Sequence, residues 1–206
     1  MNQSLSSSLE EMKKASDTGQ PMLEKSTRKM EPQKFMMWFA IGSITLTFAG
    51  FTSAYIVRKA QGLWEQFTMP SIFYYSTVII LLSSLIFILG KRAFKAKDFK
   101  KYNLAMLVTL LLGITFMVLQ YMGFKLLYSE NVRINGNVSN SFFFVIAGAH
   151  LLHILGGVIA LTISWLRNYI RPEAKRTLLS VEIMGTYWHF IDILWLYLFV
   201  FLVFNN

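Results

Sequence analysis

Five long apolar segments dominate this chain, at about 35–57, 71–90, 103–127, 141–165 and 181–204. Each holds about 20 or more residues, enough to cross a hydrocarbon core of roughly 30 Å as a helix. Buried helices of soluble proteins are rarely so long and so apolar five times over. The expected fold is therefore all-α, an integral membrane bundle of five transmembrane helices over 35–206. Composition agrees: 54% of the 206 residues are hydrophobic and 15% charged, where soluble domains carry about 25% charged residues. Cysteine is absent, which excludes disulfides, Cys-ligated zinc, iron–sulfur clusters and a thiolate-bound copper centre in this chain.

A formal charge of +9 raises nucleic acid as a partner, but basic and aromatic residues are not interleaved as a nucleic-acid surface requires. The basic residues cluster between the apolar segments instead. Residues 1–34 carry six Lys/Arg, the loop 91–101 six, and 166–180 four (Arg167, Arg171, Lys175, Arg176). Against these sixteen, the other side has three: Arg58, Lys59 and Arg133. The positive-inside rule places the N-terminus in the cytoplasm and the C-terminus outside. Residues 1–34 are polar, of mixed charge, and without the apolar core of a signal peptide. They read as a mostly disordered cytoplasmic tail.

Polar residues inside the spans are the informative ones, because hydrocarbon offers them no partner. Ser43, Thr47, Gly50 and Ala54 form a small-residue row in the first span, where another helix is expected to approach closely. Pro70 suits the start of the second span, which carries Ser76, Thr77, Ser83 and Ser84. Gln120 in the third should bond to a neighbouring helix. In the fourth, GAHLLHILGG sets His150, His153 and Gly157 on one face, and Gly156–Gly157 permits close packing. In the fifth, EIMGTYWHFIDILW carries Glu182, His189 and Asp192 at steps of seven and three, again one face of a helix. Trp188 and Trp195 accompany them. His150, His153 and His189 are all the histidines of the chain.

Four readings fit this cluster. Interhelical hydrogen bonding is the plainest, at about 0.6 kcal/mol per bond. A metal site could draw on the three histidines and two carboxylates. Haem ligation by His189 with His150 or His153 would need a ring-sized gap between helices. A proton relay would need titratable groups in the first three spans, which are nearly without them. No phosphate loop, nucleophile elbow or convincing internal repeat is present.

The fourth span, SFFFVIAGAHLLHILGGVIAL, resembles the His-x-x-His-x-x-Gly-Gly helix of subunit III of haem–copper respiratory oxidases. The fifth, VEIMGTYWHFIDILWLYLFVFL, is similar to the last helix of that family. MPSIFYYSTVIILLSSL and LGITFMVLQYMGF are similar more loosely. Five spans fit the shorter bacterial form, so the resemblance implies a multi-pass protein of a bacterial inner membrane. It implies a non-redox subunit of a proton-pumping terminal oxidase, with haem and copper in partner subunits and no cofactor or metal in this chain. The expected partners are the catalytic subunit I, subunit II and membrane phospholipids, with a small subunit IV or a larger respiratory assembly as further possible neighbours. The expected roles are assembly, lipid binding, proton uptake and stability of the catalytic subunit. His150, His153, Gly157, Glu182, Trp188, His189 and Asp192 are expected to form a structural core that organises lipid or water. The family often has a carboxylate after the serine of its first shared helix, where this chain has Ile44, and a Glu after the Gln of the third, where Gln120 is followed by Tyr121, Met122 and Gly123. The electron donor implied is cytochrome c, with quinol as the alternative. A free-standing metal-dependent membrane enzyme and a small transporter are the readings from other classes.

Overall fold

Length and hydropathy leave each apolar segment one way to satisfy its backbone, and each is a helix. The computed structural model describes residues 32–62, 68–129, 138–170 and 178–205. The helices are α1 (Pro32–Ala60), α2 (Ile72–Lys95), α3 (Phe99–Ser129), α4 (Val138–Ile170) and α5 (Leu178–Asn205). All five are long and apolar enough to cross a membrane, and among the described residues there is no strand. The expected tail and the loop carrying Arg133 lie almost wholly outside the described residues.

The helix ends follow local chemistry. Proline opens α1, where a missing N–H costs nothing, and Gly62, at φ 86°, follows its last turn. Pro70 sits just outside α2, but its carbonyl accepts the Phe73 amide at 3.1 Å, so it belongs to the first turn. Lys97 ends the α2 turn at φ 62°, its N–H donating to the Phe94 carbonyl at 3.0 Å. Asp98 then opens α3, its Oδ1 accepting the Lys101 amide at 3.1 Å. Three residues thus link α2 to α3, and so short a link makes the two helices antiparallel neighbours.

Helices α2 to α5 close into a ring: α2 packs on α3 and α5, and α4 packs on α3 and α5. Glycines mark the close approaches. A Cβ on Gly90 would lie 2.9 Å from the Ala105 Cβ, and one on Gly185 would lie 2.7 Å from the Phe87 ring. Hydrocarbon provides no hydrophobic force between helices, so association rests on such van der Waals contact and on interhelical hydrogen bonds.

Helix α1 is attached differently. Among the described residues, none of its Cα atoms comes within 8 Å of one in another helix. Long side chains bridge the distance. Phe48 and Tyr55 are each 1% exposed. Phe48 meets the rings of His150 and His153, and Tyr55 those of Phe142 and Phe201. The Tyr55 hydroxyl donates to the Asn205 carbonyl at 3.0 Å, and the Lys59 ammonium donates to the same oxygen at 2.5 Å. Tyr197 donates to Thr52 Oγ1 at 3.3 Å. Among the described residues of this chain, the small-residue row meets no other helix. Ser43, Thr47 and Gly50 are exposed, and nothing lies within 4 Å of a Cβ built on Gly50. The buried face is Ile41, Phe48, Thr52 and Tyr55. The physical reason is local: Ser43 and Thr47 donate to the carbonyls of Phe39 and Ser43, four residues back, and so need no second helix.

Candidate functional site

A polar seam runs along α2. Its hydroxyls come as two adjacent pairs seven residues apart, which places Ser76–Thr77 and Ser83–Ser84 on one face two turns apart. Three of them first satisfy their own hydrogen inside α2. Ser76 and Thr77 donate to the Phe73 carbonyl at 2.9 and 2.7 Å, and Ser83 donates to the Ile80 carbonyl at 2.8 Å. Their oxygens then face outward as acceptors. Gln120 Nε2 of α3 donates to Ser76, Trp195 Nε1 of α5 to Thr77, and Trp188 Nε1 to Ser83, each at 3.0 Å. Ser84 pairs with His189 Nδ1. The tryptophans are also seven apart, so the antiparallel α5 matches the hydroxyl repeat of α2.

Trp188 ties the ring together. It is 1% exposed. A Cβ on Gly113 of α3 would lie 2.8 Å from its Cη2, and one on Gly157 of α4 would lie 3.1 Å from its Cζ3. The indole therefore fills a slot between two glycines while its N–H reaches α2. Gly157 does admit a close neighbour, but a ring rather than a backbone. Gly156 is exposed, with only the Tyr187 hydroxyl near, at 3.7 Å.

His150 is fully buried in a cage of rings. Trp195 stacks on it at 5.0 Å and 28°, and Phe48 and Phe116 present edges at 6.3 Å. Neither of its nitrogens has a hydrogen-bond partner. His153 is half-buried, donates from Nδ1 to the Ala149 carbonyl at 2.7 Å, and meets Phe48 at 5.6 Å. The backbone carbonyl of His153 accepts from the Tyr187 hydroxyl at 3.1 Å. His189 is half-buried against Phe87 at 5.6 Å. Asp192 is 1% exposed, and neither of its oxygens is hydrogen-bonded. Glu182 is half-buried near the start of α5.

The seven expected residues are therefore spread over several contacts. Trp188 meets Gly157, and His189 meets Ser84. His150 and His153 share Phe48 on the α1 side. Among the described residues, no three His, Asp or Glu side chains come together closely enough to hold one metal ion. Trp188 fills the space beside Gly157, which leaves no slot for a haem there. Gln120 finds the neighbour its position demands, in Ser76. Phe48, Phe116 and Thr52 escaped notice, because a phenylalanine facing a histidine and one facing lipid look alike in sequence. The shared seven-residue spacing of the α2 hydroxyls and the α5 tryptophans is the signal that could have found the seam.

The comparisons agree with the helices that carry it. The family model for cytochrome c oxidase subunit III matches residues 36–206. The chain is 29% identical over 172 residues to cytochrome c oxidase subunit 3 of Bacillus sp. (strain PS3), covering 81% of this chain and 83% of that protein. It is 26% identical over 182 residues to cytochrome c oxidase subunit 3 of Bacillus subtilis, covering 85% and 87%. With cytochrome c oxidase subunit 3 of Triticum aestivum it is 29% identical over 142 residues, 69% of this chain and 51% of that protein. With its five apolar helices and their interlocked last pair, the chain belongs to the cytochrome c oxidase subunit III family.

Proposed function

We propose that this chain is a non-redox subunit of a bacterial terminal oxidase that oxidises cytochrome c, reduces oxygen to water and pumps protons. It packs beside the catalytic subunit I and subunit II in the inner membrane, with its N-terminus in the cytoplasm and its C-terminus outside. Haem and copper belong to those partners. Its contribution is assembly, phospholipid binding, support of proton uptake and stability of the catalytic subunit. His150, His153, Gly157, Glu182, Trp188, His189 and Asp192 form its structural core.

One observation carries this reading. Most of the hydrogen-bonding groups of the seam are committed to helix–helix contacts: Trp188 to Ser83, Trp195 to Thr77, Gln120 to Ser76 and His189 to Ser84. Groups held this way lock packing and have little freedom to turn over a substrate. The exposed apolar side chains of α1, among them Phe39, Leu46 and Ile56, suit acyl chains or a partner helix.

The test is gentle purification through a tag on the N-terminal segment, followed by a reduced-minus-oxidised visible spectrum. Haem absorbance and large oxidase subunits should travel with this chain. A colourless single chain overturns the proposal. Turnover with cytochrome c against turnover with quinol then identifies the donor, because that site lies on another subunit.

A further inference from the structure

Asp192 is the one carboxylate among the described residues that is buried with both oxygens unbonded. An ionised carboxylate in that state carries a desolvation cost of several kcal/mol with nothing to offset it. A protonated one carries a far smaller cost, and its O–H still lacks an acceptor. The surroundings supply a route to one. Ser84 of α2 pairs with His189 Nδ1, and His189 lies one turn before Asp192 on α5. Unlike Ser76, Thr77 and Ser83, Ser84 makes no hydrogen bond to a carbonyl of its own helix, so its hydroxyl is free to turn. His189 is half-buried, and Lys91 lies near the end of α2, two turns beyond Ser84. Asp192 is thus fully buried, while Ser84, His189 and Lys91 are each half-buried.

We propose that Asp192 is a proton-binding site: a neutral carboxylic acid that exchanges its proton with the aqueous face at the Lys91 end, through Ser84 and His189. A proton from water binds His189 Nε2. The Nδ1–H bond breaks as that proton passes to Ser84 Oγ, and the original Ser84 hydroxyl proton passes to an oxygen of Asp192. Rotation of Ser84 about its Cα–Cβ bond closes the contact to Asp192. The reverse sequence releases the proton. Arg92 and Lys95 follow Lys91 on α2, and Arg167 lies in the last turn of α4. On α5 itself the remaining acid is Glu182. Helix α4 presents His150 and His153, with His150 held behind the Trp195 ring. Helix α3 has no titratable side chain between Tyr102 and Tyr121, and α1 none between Lys34 and Tyr55.

The proposal rests on the chain spanning a membrane within its complex, so the test uses the purified oxidase, with haem content of each preparation reporting that membership separately. Infrared spectra are recorded while the complex is moved from H2O to D2O. A carboxylic-acid carbonyl band that shifts on deuteration should be present in the parent complex and lost in D192N. His189→Phe and Ser84→Ala should each slow the shift roughly tenfold, as expected for loss of one hydrogen-bonded step. Should D192N fail to assemble, D192E in an intact complex should move the same band rather than abolish it. Two results overturn the proposal: identical acid-carbonyl spectra in the parent and the Asp192 variant, or exchange equally fast in parent, H189F and S84A complexes of full haem content.

Discussion

Helix α1 and the ring formed by α2 to α5 solve the same problem in opposite ways. The ring brings backbones together at glycine and lets one indole fill the slot, as Trp188 does between Gly113 and Gly157. Helix α1 has glycines too, yet Gly42 and Gly50 face open space, and the helix is held by Phe48 and Tyr55 reaching across. The comparison teaches that a small residue in a membrane helix permits close packing without demanding it. What demands it is a partner whose shape and hydrogen-bonding groups fit, and α2 provides that for α5 through its paired hydroxyls.

The sharpest way to break this contrast is Trp188→Ala. It removes a fully buried ring, opens a cavity and leaves the Ser83 oxygen without its donor. A large aromatic-to-Ala change in a packed core costs about 3–5 kcal/mol. The expected outcome is loss of most assembled complex, read as haem per unit of membrane protein, with turnover per remaining haem little changed. Full assembly of W188A would show that the ring is not the brace.

Next in size is one substitution made in both regions. Gly113→Ala places a methyl group 2.8 Å from Trp188 Cη2, and overpacking of this kind costs about 1–3 kcal/mol. Gly50→Ala meets nothing within 4 Å and should be neutral, or gain up to about 1 kcal/mol from helix propensity. Thermal unfolding of the two purified complexes should move in different directions. Equal destabilisation would mean that α1 is packed as tightly as the ring, through a partner on its exposed face.

Tyr197→Phe should be milder. It removes the single bond from α5 to Thr52 of α1, at 3.3 Å, and such a bond inside a membrane protein contributes about 0.6 kcal/mol. Proteolysis at the α1 end should quicken slightly, while the α2–α5 contacts stay intact.

The smallest effect lies at the α2–α3 turn. The Lys101 amide, then its ammonium at 3.0 Å, hold the Asp98 carboxyl below the usual carboxylate range. A carboxylate depressed in the folded state stabilises it above its unfolded pKa, and that contribution is lost as pH falls through the folded value. Amide exchange at Lys101 should therefore accelerate on acidification, and Asp98→Asn should flatten the response. Exchange that is independent of pH in the parent, after correction for intrinsic rates, would remove Asp98 as the cap.

Part of this was open to inspection in the sequence. Hydropathy alone located five helices, because a backbone in hydrocarbon must satisfy itself within each segment. The motifs at His150–Gly157 and Glu182–Trp195 pointed to the family. Gln120 signalled a neighbour by its residue type, whereas the seven-residue spacing of Ser76–Thr77 and Ser83–Ser84 became informative only beside the tryptophans of α5. Spacing also put Glu182, His189 and Asp192 on one face, but spacing does not say what each side chain meets. His189 turns to Ser84, and Asp192 is left unbonded.

Only the tertiary structure decided which faces meet. Helical periodicity says which residues share a face and is silent on what that face touches. In a soluble protein the apolar face would be the buried one, but in a membrane lipid is as apolar as another helix. Phe48 in its cage with His150 and Leu46 on the outside are therefore indistinguishable by hydrophobicity. The same limit hid the slot that Gly113 and Gly157 make for Trp188. Its two walls belong to different helices, and no pattern within one helix records the distance to the next.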